Sequence, residues 1–173
     1  MNDYLEILKY TLPALLVLLA SVITLKSMFR NEEKKRRTEM ILESRDTILP
    51  LRLQAYERLI LFLERISPDS LIIRVNQAEM NSIQLQNELI TSVRTEFEHN
   101  LAQQMYISSR AWDAVKSARN NIIKLVNDSA SELKPNSAGM SLNKKILEKL
   151  MELKSSPTDA AIEFLKKEVR ELF

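Results

Sequence analysis

The sequence predicts an all-α protein: a single N-terminal transmembrane helix followed by a cytoplasmic helical bundle or long-helix hairpin. Three observations lead there. One glycine and five prolines in 173 residues are too few turn formers for a many-stranded fold, while 45% hydrophobic and 28% charged residues make the chain too apolar to stay disordered. Apolar residues recur at three and four over most of its length, which is the helical period. Near the N-terminus lies an uncharged run of sixteen, YTLPALLVLLASVITL, from Tyr10 to Leu25.

That run is shorter than the roughly 20 residues that cross a hydrocarbon layer. Leu5, Ile7 and Leu8 on one side and Met28 and Phe29 on the other extend the expected span to Tyr4–Phe29. Lys9 and Lys26 could then snorkel to the interfaces, where Tyr4 and Tyr10 also fit. A cleaved signal peptide is disfavoured, because the positive charge follows the run instead of preceding it. Lys26, Arg30, Lys34, Lys35, Arg36 and Arg37 against Glu32 and Glu33 leave a local excess of four positive charges. The positive-inside bias places everything after them in the cytoplasm, and the six basic side chains are candidate contacts for membrane lipid. Residues 1–37 are therefore the expected anchor and basic flank. The remainder is nearly neutral and has no basic stripe, so nucleic acid is not expected as a partner.

Residues 38–133 read as the helical body. Asp46 or Thr47 can cap a helix with Pro50 in its first turn, and Leu49, Leu53, Tyr56, Ile60 and Leu63 form one apolar face. Ser67-Pro68-Asp69 stops it. SLIIRV, from Ser70 to Val75, has no convincing strand to pair with and reads as a helical turn or packed connector. Asn81 and Ser82 open the next helix, with Ile83, Ile90, Val93, Phe97, Leu101 and Met105 on one face. The same phase carries on through Trp112, Val115, Ile122, Val126 and Leu133. One continuous helix from Ser82 to Leu133 and a hairpin broken near Ser108-Ser109 both fit this pattern.

Residues 134–140, which contain the sole glycine, Gly139, form the expected linker. Residues 141–173 then make a helical hairpin. Its first helix is capped by Ser141 and carries Leu142, Ile146, Leu150 and Leu153. Its second starts at Ser156-Pro157-Thr158-Asp159 and carries Ile162, Leu165, Val169 and Leu172.

The stretch EFEHNLAQQMY, from Glu96 to Tyr106, holds the only histidine. Glu-x-x-His is half of a dimetal carboxylate motif, but such a site needs two copies plus two further carboxylates. His99 also points away from the apolar face, with Glu96 flanking it. No metal ligand, cofactor or catalytic residue is assigned, and the expectation is a protein that is not an enzyme. Absence of cysteine excludes thiolate chemistry, and phosphate loops and nucleophile elbows need glycines the chain lacks. Glu96, Glu98, His99, Asn100 and Gln103 are instead candidate contacts for a partner. An enzyme using a helical pocket with Glu96 and His99 is the alternative. Trp112, in phase with Phe97 and Val115, is expected in the core.

QAYERLILFLERI (Gln54–Ile66), EFEHNLAQQMYIS (Glu96–Ser108) and AWDAVKSARNNII (Ala111–Ile123) resemble a family of membrane-anchored helical proteins of Bacteroidota built on a domain of unknown function. The similarity runs from the N-terminal segment to about Asn127. It implies a bacterial inner-membrane setting, and it brings no activity, ligand or catalytic residue. The function expected is that of an accessory or scaffold subunit in an inner-membrane protein complex; self-association through a coiled coil is the alternative.

Overall fold

The structure is a computed structural model. It describes residues 2–153 and 155–171, and within these the side chains of all but residues 2–14, 17, 37, 38 and 40–46. Among the described residues every regular element is helical: α1 Asn2–Arg65, α2 Pro68–Val75, α3 Ser82–His99, a 3₁₀ turn Leu101–Met105, α4 Ser109–Ser131, α5 Gly139–Glu152 and α6 Asp159–Glu171. The chain divides into two compact units, Met1–Leu49 and Pro50–Phe173.

Helix α1 is unbroken over 64 residues. The helix start expected at Asp46 or Thr47 is absent, and Pro50 lies within the helix, where it removes one amide donor and crowds the carbonyl four residues back. The surrounding Glu, Lys, Arg, Leu and Met are strong helix formers, and they carry the segment across this defect.

The transmembrane anchor expected over Tyr4–Phe29 does not stand. Among the described residues, no helix is long and apolar enough to cross a membrane. Part of the expected span, residues 2–14 and 17, lies outside the described side chains. The physical reason is length. The uncharged run alone falls short of about 20 residues, and extending it to Phe29 takes it through Lys26. The single-pass topology, the inner-membrane location with the N-terminus outside and the place in a membrane complex fall with the anchor. So does the lipid role of the basic flank: Lys26, Arg30, Lys34, Lys35 and Arg36 are exposed along the helix, and the Arg37 side chain lies outside the described residues.

The second unit is a helical bundle. Ser67 precedes Pro68 in extended backbone, so α1 ends and α2 begins within three residues. At the start of α3, Asn81 and Gln84 form a reciprocal capping box: the Gln84 amide donates to Asn81 Oδ1 at 2.9 Å and the Asn81 amide to Gln84 Oε1 at 3.1 Å. The choice between one long helix and a hairpin resolves as a hairpin, with α3 packed on α4 across the turn at residues 100–108. The core joins Tyr56, Leu59, Phe62, Leu63 and Ile66 of α1 to Leu85, Leu89, Val93 and Phe97 of α3 and to Val115, Ile122 and Val126 of α4. Leu142 and Ile146 of α5 and Ile162 and Leu165 of α6 complete it.

The starts of α3 and α5 are tied together by backbone. The Ser82 amide donates to the Ser137 carbonyl at 2.7 Å and the Gly139 amide to the Met80 carbonyl at 2.9 Å, around an antiparallel bridge between Asn81 and Ala138. The expected linker is therefore a fastened joint. Asn136 turns the chain there with φ 61°, a conformation asparagine tolerates better than most residues.

Candidate functional site

The α3–α4 turn is where the sequence concentrated its candidate residues. Helix α3 stops at His99 because Asn100 folds back on it. The Asn100 side chain donates to the Glu96 carbonyl at 2.8 Å and its amide to the Phe97 carbonyl at 3.0 Å. The 3₁₀ turn is closed by the Gln103 amide donating to the Asn100 carbonyl and the Tyr106 amide to the Gln103 carbonyl, at 3.1 and 3.0 Å. Arg52 of α1 then pins the exit, its Nε donating to the Tyr106 carbonyl at 3.1 Å. Ser108 caps α4 by accepting from the Ala111 amide at 3.0 Å.

This break rotates everything after His99 out of the α3 phase. Leu101, Met105 and Tyr106, the first two expected in the core, are 40%, 80% and 37% exposed. They share the turn with Glu98 and His99, which are exposed, and with Asn100 and Gln103, which are partly covered. Beneath them Phe97 is buried, stacked on Trp112 with centroids 5.2 Å apart and tilted against Phe62 at 5.9 Å. The Arg119 guanidinium carbon lies 4.1 Å from the Phe97 centroid, a cation–π contact. Trp112 is half-buried in this stack, a packing role in line with its phase.

Glu96 is a structural tie. Its Oε1 accepts from Arg65 Nε at 3.0 Å, Arg65 Nη2 at 2.6 Å and Arg74 Nη1 at 2.8 Å. Arg74 Nη2 also donates to the Arg65 carbonyl and to Ser92 Oγ, both at 3.2 Å, so one carboxylate joins α1, α2 and α3. Partial burial pushes the Glu96 pKa up, but the hydrogen bonds from Arg74 and Arg65 and their charges outweigh it, and the group sits below its ordinary value. A carboxylate held ionised by two guanidiniums is poorly suited to act as a general base. His99 is on the exposed surface, and among the described residues no group of three or more His, Cys, Asp or Glu side chains could hold a metal. The alternative of a Glu96–His99 pocket is thereby overturned.

A second ionic cluster joins α4 to α5. Glu132 receives Lys145 at 2.8 Å and Lys149 at 2.7 Å, and their hydrogen bonds hold its carboxyl at about 2. A groove of about 480 Å³ beside it is lined by Lys124, Leu125, Lys149, Leu153 and Pro157. Another, of about 340 Å³, lies between α1 and α6 over Tyr56, Ile60 and Val169. A larger depression of about 730 Å³ along residues 23–34 is lined by α1 alone and has no opposing wall among the described residues.

Sequence reasoning missed Arg65, Arg74 and Arg119, since arginines on three different helices share no spacing that announces them. It missed the exposure of Leu101 and Met105 as well. The signal available was Asn100, whose side chain competes with the helix for backbone partners.

A family model described as "Family of unknown function (DUF7935)" matches residues 2–172. The chain belongs to this family. Membrane anchoring, part of the resemblance drawn from the sequence, is not carried over, for want of a spanning helix among the described residues of this DUF7935 member. No curated protein and no solved structure matches it.

Proposed function

We propose that the chain is a non-catalytic, protein-binding helical bundle whose partner docks on the α3–α4 turn. The observation that supports this reading is the exposure of Leu101, Met105 and Tyr106 on a turn whose backbone is held by Asn100 and Arg52. A pre-ordered backbone leaves only side-chain freedom to be lost on binding, and that lower cost is what makes a small patch effective. Glu98, His99, Asn100 and Gln103 supply a polar rim of the kind that surrounds such a centre. Glu96 contributes by fixing the end of α3, and its carboxylate stays with the arginines.

The test is site-specific photo-crosslinking of the full chain in the cells that make it, with the crosslinker at Met105, at His99 and, as a control on α6, at Lys167. A single protein captured from Met105 and His99, lost in the variant carrying Leu101→Glu and Met105→Glu, is the expected result. Equal capture from all three positions, or capture indifferent to the double substitution, would overturn it.

A further inference from the structure

On the reading that a partner docks at the α3–α4 turn, we infer that α6 regulates that site as a latch. With α6 docked, Glu168 holds the turn in the form that receives the partner; release of α6 loosens the turn and lowers the affinity. One carboxylate makes the connection. Glu168 accepts from Ser108 Oγ at 2.6 Å through Oε1 and from the Tyr56 hydroxyl at 2.8 Å through Oε2.

Ser108 is where the turn passes into α4, and its oxygen already accepts from the Ala111 amide as the cap of that helix. The single hydroxyl proton goes to Glu168, so the carboxylate sets the direction in which the cap points. On α1, four residues before Tyr56, Arg52 Nε donates to the Tyr106 carbonyl, and the same guanidinium acts on the Tyr56 hydroxyl. Tyr106 and Ser108 are thereby tied into one polar cluster whose outermost member belongs to α6. Glu168 is a positioning residue for the turn.

The hold is of a kind that can open. Glu168 lies in the last turn of α6, where the helix dipole disfavours a negative charge, so its own helix gives no reason for it. The buried residues of α6, Ala161, Ile162 and Leu165, all precede it. After Leu165, among the described residues, only Val169 packs on the core, half-buried, and the groove of about 340 Å³ over Tyr56, Ile60 and Val169 leaves α1 and α6 incompletely packed there. Opening this end of α6 leaves the rest of the bundle intact, as a local unfolding step does. By linkage, whatever binds the turn tightens α6, and whatever frees α6 weakens binding at the turn.

Amide hydrogen exchange of the full chain, read by mass spectrometry in wild type, Glu168→Ala, Glu168→Gln and Tyr56→Phe, tests the latch. Glu168→Ala should speed exchange about tenfold or more across residues 103–112 and 166–171, the scale set by losing bonds to a charged acceptor, and leave α5 unchanged. Glu168→Gln, which keeps one acceptor oxygen, and Tyr56→Phe, which removes one donor, should fall between. Photo-crosslinked capture from Met105 should drop by about the same factor in Glu168→Ala. A turn that exchanges as in wild type, an α5 that quickens equally, or undiminished capture from Met105 would each overturn the latch, and the last would leave the docking reading standing. A wild type that captures nothing from Met105 or His99 would overturn the docking reading, and exchange across residues 103–112 would still decide whether α6 holds the turn.

Discussion

The amide of Gly139 donates to the carbonyl of Met80, and a Cβ placed on Gly139 would lie 2.7 Å from that same oxygen. The only glycine of the chain is therefore needed for close approach, and its φ is not positive. Gly139→Ala should cost about 1–3 kcal/mol, because the backbone joint between α3 and α5 must open to admit the methyl. Urea unfolding measures it. A midpoint equal to wild type would show that the joint is loose.

Asn136 carries the conformational demand that a glycine would ordinarily meet, with φ 61°. Asn136→Gly should therefore be tolerated, whereas Asn136→Val should cost about 1–2 kcal/mol through the clash of its Cβ in the left-handed region. Thermal denaturation of the two variants side by side decides this.

Arg119 and Phe97 should be energetically coupled. Phe97→Leu and Arg119→Met, alone and combined, form a cycle whose interaction term is expected to be about 0.5–1 kcal/mol for a partly exposed cation–π contact. Zero coupling would mean that Arg119 merely rests on the ring.

Acid should loosen the bundle through Glu96 and Glu132. Both pKa values are depressed in the fold, from an ordinary 4.5, so the stabilisation is complete above that value and is lost as pH falls through the folded one, about 2 for Glu132. Glu96→Gln and Glu132→Gln should each flatten the fall of the urea midpoint below pH 4.5. Salt at about 1 M should erase more of the Glu132 contribution, since that cluster is solvent-exposed and the screening length drops to about 3 Å.

The helices of the second unit were legible because their apolar positions obey the helical period and some starts carry capping residues: Asn81 and Ser156 stand at or near an observed boundary, whereas Ser141, expected to cap α5, falls inside it. The faces were legible only in part. For α3, counting from Ile83 chose a stripe that held Val93 and Phe97, which are buried, but also Ile83, Leu101 and Met105, which are exposed, whereas the buried line is Leu85, Leu89, Val93 and Phe97. Isoleucine at 83 is as apolar as leucine at 85, and composition cannot say which one the neighbouring helices cover. The N-terminal apolar run misled because its length was made up with flanking residues: sixteen uncharged residues fall short of about 20, and extending them passes through Lys26. At the candidate site, Glu98 and His99 were placed on the surface by phase alone. The arginines that claim Glu96 come from Arg65 and Arg74, 31 and 22 residues away, beyond the reach of any local pattern.

The Tyr56 hydroxyl donates to Glu168 Oε2 at 2.8 Å across 112 residues, and Glu168 Oε1 also accepts from Ser108 Oγ. During synthesis at about 5–20 residues per second, roughly ten seconds separate the appearance of these two partners. For that interval the nascent α1 displays Tyr56 and Ile60 without the helix that carries Val169, so chaperones have a window in which to hold it. Substitutions that weaken α6 should therefore reduce the yield of folded chain in the cell before they measurably lower the melting temperature of the protein that survives.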